Sequence, residues 1–422
     1  MKLKKILSLF LVFFFFSTSI IEVSAAYPIV NAKSSILIDY ESGSVLYQDN
    51  IDEQMGIASI TKIMSVYVLL EEMEKQGLTL QDEVVISERV SLLKSQSPDI
   101  SGVYYEEGEV VTIEELINLS LVYSDNSAII QLAEVASGSE SAHVEKMNAQ
   151  AAAWGLENTH FVNVTGLTMR DYGVLQLPGV GVNEYNQSTA REVAAMSRNI
   201  IMEYPQMLDI TSQSYIEFRG ETLKSYNMML EGLEEEYPGV TGLKTGSSDE
   251  AGNCFVGFYT YKEKSYISVV LGAETSNARF TETKKMYSWV QGQTINTVIS
   301  KNDTFPVTIK GDMGFNEELS PKYDVLSVES GVNSQISSIH YNEIYFDENN
   351  RLMKDIPIGE TVVTIELQSL SEQDVTTVNG DSESFEMELV STEEIKYQGK
   401  FLSLFGIGFE YISNLYNSIL NF

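Results

Sequence analysis

Ser59-Ile60-Thr61-Lys62 sets a hydroxyl and an amine three residues apart. On a helix that spacing stacks both on one face, so the lysine can reach the serine. Residues 59–75 are apolar nearly all round (Ile60, Ile63, Met64, Val66, Tyr67, Val68, Leu69, Leu70), which predicts a buried helix. Burial disfavours an ammonium. Lys62 is therefore expected to lose its charge and serve as the base that makes Ser59 a nucleophile. Ser91-Leu92-Leu93-Lys94 repeats the spacing beside Ser95 and Ser97. A lysine in that polar stretch stays solvated, so the second pair reads as a decoy.

Two further triplets could complete a site. Ser124-Asp125-Asn126 follows the apolar helix end Leu119 to Tyr123 and suits a loop over a cleft. There Ser124 could relay a proton and Asn126 hold a substrate amide, although an ordinary helix cap uses the same residues. Ser197-Arg198-Asn199 repeats the pattern in mid-helix, where it means nothing. Lys244-Thr245-Gly246, followed by Ser247, reads as a strand edge. Its backbone could pair with an extended substrate, Lys244 and Thr245 could bind a carboxylate, and Gly246 leaves room for close approach.

These residues need elements to hold them. Ser35-Ile36-Leu37-Ile38-Asp39-Tyr40 and Val45-Leu46-Tyr47, joined across Gly43, predict a β-hairpin. Thr112 and Glu115 have capping-box spacing for a helix over 112–122. Residues 126–153 read as mostly helical, and Ser188-Thr189-Ala190 opens a helix through about Met202. Strands return from Gly242, with a turn at Lys262-Glu263-Lys264, and 279–297 reads as a closing helix. Strands thus flank a helical middle. Over 299–396 alternating runs such as Pro306-Val307-Thr308-Ile309 and Thr361-Val362-Val363-Thr364-Ile365 predict a separate β-rich domain.

Length and charge limit the classes. The chain has 422 residues, 43% of them apolar, enough for a large core and two or three domains. A net charge of −33 repels phosphate backbones, so no nucleic-acid partner is expected. One cysteine and three scattered histidines argue against a metal centre, and no cofactor is expected. Lys2, Lys4 and Lys5, the apolar run 6–16 and Val23-Ser24-Ala25 read as an export signal over 1–25, placing a catalytic unit at 26–298 outside the cytoplasmic membrane. Within 397–422, residues 401–422 form an amphipathic pattern. Phe401, Phe405, Phe409, Ile412, Tyr416 and Leu420 share one face; Ser403, Glu410, Ser413, Asn417 and Asn421 share the other. Such a helix lies in a membrane interface or packs on a core, and the aromatic content favours the membrane surface.

The three triplets, in this order, are the motif set of penicillin-binding proteins and serine β-lactamases. The similarity extends to Ala58 through Met64, Asn158-Thr159-His160-Phe161-Val162-Asn163 and Tyr237-Pro238-Gly239-Val240-Thr241-Gly242-Leu243. Over roughly residues 27–298 the chain resembles the D-alanyl-D-alanine carboxypeptidases, the low-molecular-mass penicillin-binding proteins. The resemblance implies an α+β catalytic domain with an antiparallel sheet flanked by helices, then a small β-rich domain and an amphipathic helix. It implies that Ser59 attacks a peptidoglycan stem peptide between its last two D-alanines, with Lys62 taking the proton and Ser124 passing one to the leaving group beside Lys244. Backbone N–H groups of Ser59 and Ser247 would form an oxyanion hole. Thr245 and Arg279 would meet the terminal carboxylate, and β-lactams would acylate Ser59. Gln187 before Ser188, Ser225-Tyr226-Asn227 and the glycine-rich insertion 169–183 depart from the usual pattern. The insertion could reshape the cleft. The rivals are a β-lactamase, a transpeptidase and an inactive scaffold on peptidoglycan. Glu157-Asn158 lacks the spacing of a β-lactamase's deacylating loop, and the intact Ser59, Lys62, Ser124 and Lys244 argue against the scaffold.

Overall fold

A computed structural model describes residues 27–302 and 324–327, with the strand backbones of 305–309, 315–321, 334–340, 351–352, 357–369, 384–391 and 395–396. The expected export signal (1–25) and amphipathic tail (401–422) lie outside the described residues.

Five strands build the main sheet: β1 (Ser34–Asp39), β2 (Val45–Asp49), β3 (Val240–Ser248), β4 (Gly252–Tyr261) and β5 (Lys264–Ala273). Their order is β2-β1-β5-β4-β3, every neighbour antiparallel. The hairpin ahead of the helical middle and the strands behind it therefore close into one sheet, through β1 on β5 (Ile36 opposite Val269). Local chemistry sets both tight turns. The Asp39 carboxylate accepts the Ser42 N–H and hydroxyl, each at 2.8 Å, beside Gly43. Lys262 and Glu263 both take positive φ, as a two-residue hairpin turn matched to strand twist demands.

Alternation along the strands splits the core in two. Ile36, Ile38, Val256, Phe258, Ile267 and Val269 face the helical middle. Leu37, Phe255, Tyr259 and Val270 face the other way, onto the closing helix. Each such side chain, fully buried, contributes roughly 2 kcal/mol.

The helices are α1 (Thr61–Gln76), α2 (Glu88–Gln96), α3 (Ile113–Leu121), α4 (Asn126–Ser137), α5 (Glu140–Ala153), α6 (Ala190–Glu203), the short α7 (Met207–Thr211) and α8 (Ala278–Gln291). α1 lies inside the helical layer and is buried on nearly every face of its first three turns. The capping box forms as expected: Thr112 Oγ1 accepts the Glu115 N–H, and Glu115 reaches back to the Thr112 N–H. The run 126–153 is two helices, because Gly138 turns left-handed and Ser139 caps a new start. The closing helix stops at Gln291, short of the expected 297. Gly292 ends it, and Asn296–Ile299 becomes a strand paired with Val325–Ser327. That strand straddles the expected boundary at 298/299. Beyond it, Phe305–Ile309, Phe315–Pro321, Ser384–Ser391, Pro357–Ser369 and Ser334–His340 form a second antiparallel sheet in that order. It contains both strand runs read from the sequence.

Candidate active site

Ser59 occupies a 3-10 turn, Ala58–Ile60, that runs straight into α1. Ala58 holds φ near +46°, an uncommon state for a residue with a side chain. The turn is gripped from two sides. A Cβ on Gly166, itself at φ +84°, would sit 1.9 Å from the Ala58 carbonyl oxygen. A Cβ on Gly246 would sit 2.8 Å from the Ile57 carbonyl oxygen and 3.1 Å from the Ser59 nitrogen. The close approach that Gly246 permits is thus that of the serine's own backbone. It brings the Ser59 amide beside β3, one residue from Ser247.

Lys62 is fully buried and its Nζ donates to three oxygens: Ser59 Oγ (2.7 Å), Asn126 Oδ1 (2.8 Å) and the Thr165 carbonyl (3.0 Å). Burial lowers its pKa to about 7, against an opposing pull from the Asp125 carboxylate. A neutral amine has two N–H bonds and a lone pair. Asn126 Oδ1 and the Thr165 carbonyl can only accept, so they take both N–H groups. The lone pair is left for the one partner able to donate, the Ser59 hydroxyl. Proton transfer from serine to lysine is therefore geometrically prepared.

Ser124 lies between α3 and α4 at φ +58°, 5% exposed. Asp125 beside it is buried and caps α4 through the Ala128 N–H (3.0 Å). It also accepts from the Val103 N–H (2.9 Å) and the Tyr105 hydroxyl (3.1 Å). The cap reading and the site reading of this triplet both hold. Asn126 was expected to hold a substrate amide. Its Oδ1 is on Lys62 and its Nδ2 donates to the Ser101 carbonyl (2.9 Å), so it is built into the support of the lysine.

Lys244 rises from β3, 1% exposed, and donates to Ser124 Oγ (2.9 Å) and to the carbonyl of its neighbour Thr245 (3.0 Å). Burial first, then the positive charges of Lys62 and Arg279, hold its pKa well below the ordinary lysine value. Thr245 is 5% exposed next to it. Arg279, from the first turn of α8, donates Nη1 to the Gly246 carbonyl (3.1 Å) and Ser247 Oγ (2.9 Å). Its Nε is buried with no partner among the described residues. Burial lowers its pKa to about 10, so it stays charged at neutral pH. All nine residues singled out in the sequence thus belong to one connected site. The arrangement offers a hydroxyl beside a buried amine, a second hydroxyl bonded to a second buried amine, and a charged guanidinium beside Ser247.

The decoy pairs stay apart from it. Lys94 donates to the carbonyls of Pro98 and Ile100, and Ser91 Oγ to that of Glu88. Ser197 is buried in α6, and Asn158 is tied to Glu192. Sequence reading missed Thr165 and Gly166. The signal was Asn163, whose Oδ1 accepts from the N–H groups of both and folds them into a side-chain-capped turn. It also missed the Tyr123–Tyr226 ring pair (5.6 Å) beside Ser124, where the Tyr226 N–H meets the Val122 carbonyl. Gln187, the residue flagged before Ser188, pairs its backbone with His160 on both sides.

This constellation beside a five-stranded antiparallel sheet pairs one serine with a buried lysine and a second serine with another. A family profile described as D-alanyl-D-alanine carboxypeptidase matches residues 21–275, and the chain belongs to that family. It is 32% identical over 263 residues to D-alanyl-D-alanine carboxypeptidase DacF of Bacillus subtilis, covering 62% of each chain. It is 32% identical over 265 residues to DacC of Escherichia coli, again covering 62% of each. The match thus spans less than two thirds of those relatives. Among solved structures, a peptidoglycan synthesis regulatory factor (PBP3) of Streptococcus pneumoniae superposes with TM-score 0.67 at 30% identity, over 86% of this chain and 99% of that one. A penicillin-binding protein of Listeria monocytogenes in its cefotaxime-bound form gives TM-score 0.53 at 27% identity, over 62% and 98%.

Because Gly246 abuts the backbone of the serine turn, Gly246→Ala is expected to lower the unfolding free energy by about 2 kcal/mol, measured by denaturant titration.

Proposed function

We propose that this protein is a serine-type D-Ala-D-Ala carboxypeptidase that trims the terminal D-alanine from peptidoglycan stem peptides. The observation that carries the reading is the Lys62 amine, buried with no salt bridge among the described residues, 2.7 Å from Ser59 Oγ. Ser59 Oγ attacks the carbonyl carbon between the last two D-alanines, and its proton passes to the Lys62 lone pair. The negative oxygen of the tetrahedral intermediate is met by the backbone N–H groups of Ser59 and Ser247. Ser124 passes a proton to the departing nitrogen as the C–N bond breaks and takes back the one held by Lys62, which becomes neutral again, while Lys244 donates to Ser124 Oγ throughout. The substrate's terminal carboxylate lies at Thr245 and the charged Arg279 guanidinium, which already touches Ser247 Oγ. Water then hydrolyses the ester on Ser59 and returns the enzyme. The relatives named above carry this activity in their names, and the Listeria protein is in a cefotaxime-bound form, which supports β-lactams as inhibitors.

The protein is exported by residues 1–25 and works at the outer face of the cytoplasmic membrane, in the cell wall. The β-rich segment 299–396 follows the catalytic unit 26–298 as a separate domain, and 401–422 holds the enzyme to the membrane surface by apolar burial.

Labelled penicillin should mark Ser59 in a mass map of the digested protein, and Ser59→Ala should abolish both labelling and D-alanine release from diacetyl-Lys-D-Ala-D-Ala. Labelling at Ser91 would overturn the assignment. The rate of Ser59 acylation should climb as pH rises through about 7, where Lys62 loses its proton, and fall about tenfold for each pH unit below that; a flat profile from pH 5 to 8 would exclude Lys62 as the base. Deletion of 401–422 should move the protein from the membrane pellet to the supernatant on sedimentation.

A further inference from the structure

We propose that Tyr172, from the insertion 169–183, is a positioning residue for the reaction, locking the Thr165 carbonyl in place by joining Thr165 to the ion pair of buried Glu140 and partly buried Arg89. The inference rests on the reading of Lys62 as the base. The insertion does not open into the cleft as a loose loop. Its first part is a 3-10 segment, Met169–Leu175, that turns inward, and Tyr172 is 1% exposed. The Tyr172 hydroxyl donates to Glu140 Oε1 (2.7 Å) and lies 2.9 Å from Thr165 Oγ1. Glu140, 2% exposed at the start of α5, takes Arg89 Nη2 at 2.5 Å. Arg89, from α2, also donates to the Leu175 carbonyl of the same insertion (3.3 Å) and to Glu134 on α4 (3.2 Å).

Thr165 is therefore held at both ends. Its carbonyl receives Lys62 Nζ, and its hydroxyl is fixed to Tyr172 and Asn163. That carbonyl is one of the two acceptors that leave the lysine lone pair facing Ser59. If the peptide could rotate, the amine could turn its lone pair elsewhere, and a misplaced base reacts more slowly. A buried ion pair is costly unless its geometry and hydrogen bonds are complete. Here Tyr172 completes them and transmits their rigidity to the site.

Tyr172→Phe removes only the hydroxyl and keeps the ring and the Glu140–Arg89 pair. Thr165→Val breaks the same link from the other side and decides the matter if Tyr172→Phe does not fold. The charged groups facing Lys62 are Asp125 and Lys244, and neither variant alters them. The readout is the pH profile of Ser59 acylation by labelled penicillin, with unfolding midpoints measured alongside. Loss of a fixed acceptor weakens the ammonium more than the neutral amine. We expect the plateau rate to fall about tenfold and the acid limb to move to lower pH. A variant whose plateau equals that of the wild type, or whose profile is merely scaled by the folded fraction with its limb unmoved or raised, overturns the lock. Wild-type protein that penicillin does not label at Ser59 overturns the reading of the reaction as well.

Discussion

An amine that must be kept out of water, yet never left without partners, is the constraint around which this molecule is arranged. Taking Lys62 out of solvent makes it a base near neutral pH, and three oxygens make its burial tolerable. Each of those oxygens comes from a different part of the chain. Ser59 comes from the turn before α1, Asn126 from the first turn of α4, and Thr165 from the turn shaped by Asn163. The apolar wrapping of α1 supplies the dry surroundings. Gly166 and Gly246 let two more segments press against the serine turn.

Three basic groups crowd this pocket, and none of Lys62, Lys244 and Arg279 has a salt bridge among the described residues. The folded state is thereby set against itself, as is common where function needs groups that stability would not choose. Burial, and then the charges of Lys62 and Arg279, depress the Lys244 amine, while Arg279 keeps its charge beside Ser247. Its guanidinium is a local positive charge on a chain of net charge −33.

What could be read beforehand was what lies close in sequence. The hairpin over β1 and β2 follows from alternation and Gly43, the capping box from Thr112 and Glu115, and the burial of Lys62 from the residues around it. The three triplets gave the site because each is a local unit. Partners set by tertiary packing stayed hidden. Arg279 could be tied to the site only through the family resemblance; its contacts with Gly246 and Ser247 come from α8 packing on β4 and β5. Arg89 stands in a polar helix whose Ser91–Lys94 spacing draws attention to the wrong pair. Tyr172 sits in a stretch rich in glycine, where a buried hydroxyl has no periodic signal. The overlong closing helix had a simple cause: the 292–297 stretch alternates too briefly to separate from a helix end without knowing its mate at Val325–Ser327.

The two edges of the main sheet are treated differently. At β2 the Ser44 hydroxyl receives the Leu326 N–H at 3.0 Å, and Leu326 is buried against the lower core. β3 has a strand on one side only. An open edge ordinarily invites unwanted association between copies. Here the invitation is narrowed to the margin that carries Lys244, Thr245 and Gly246, and the opposite margin is stapled by a segment from further along the chain. Within the main sheet, the margin that is left unstapled is the one that runs alongside the Ser59 turn.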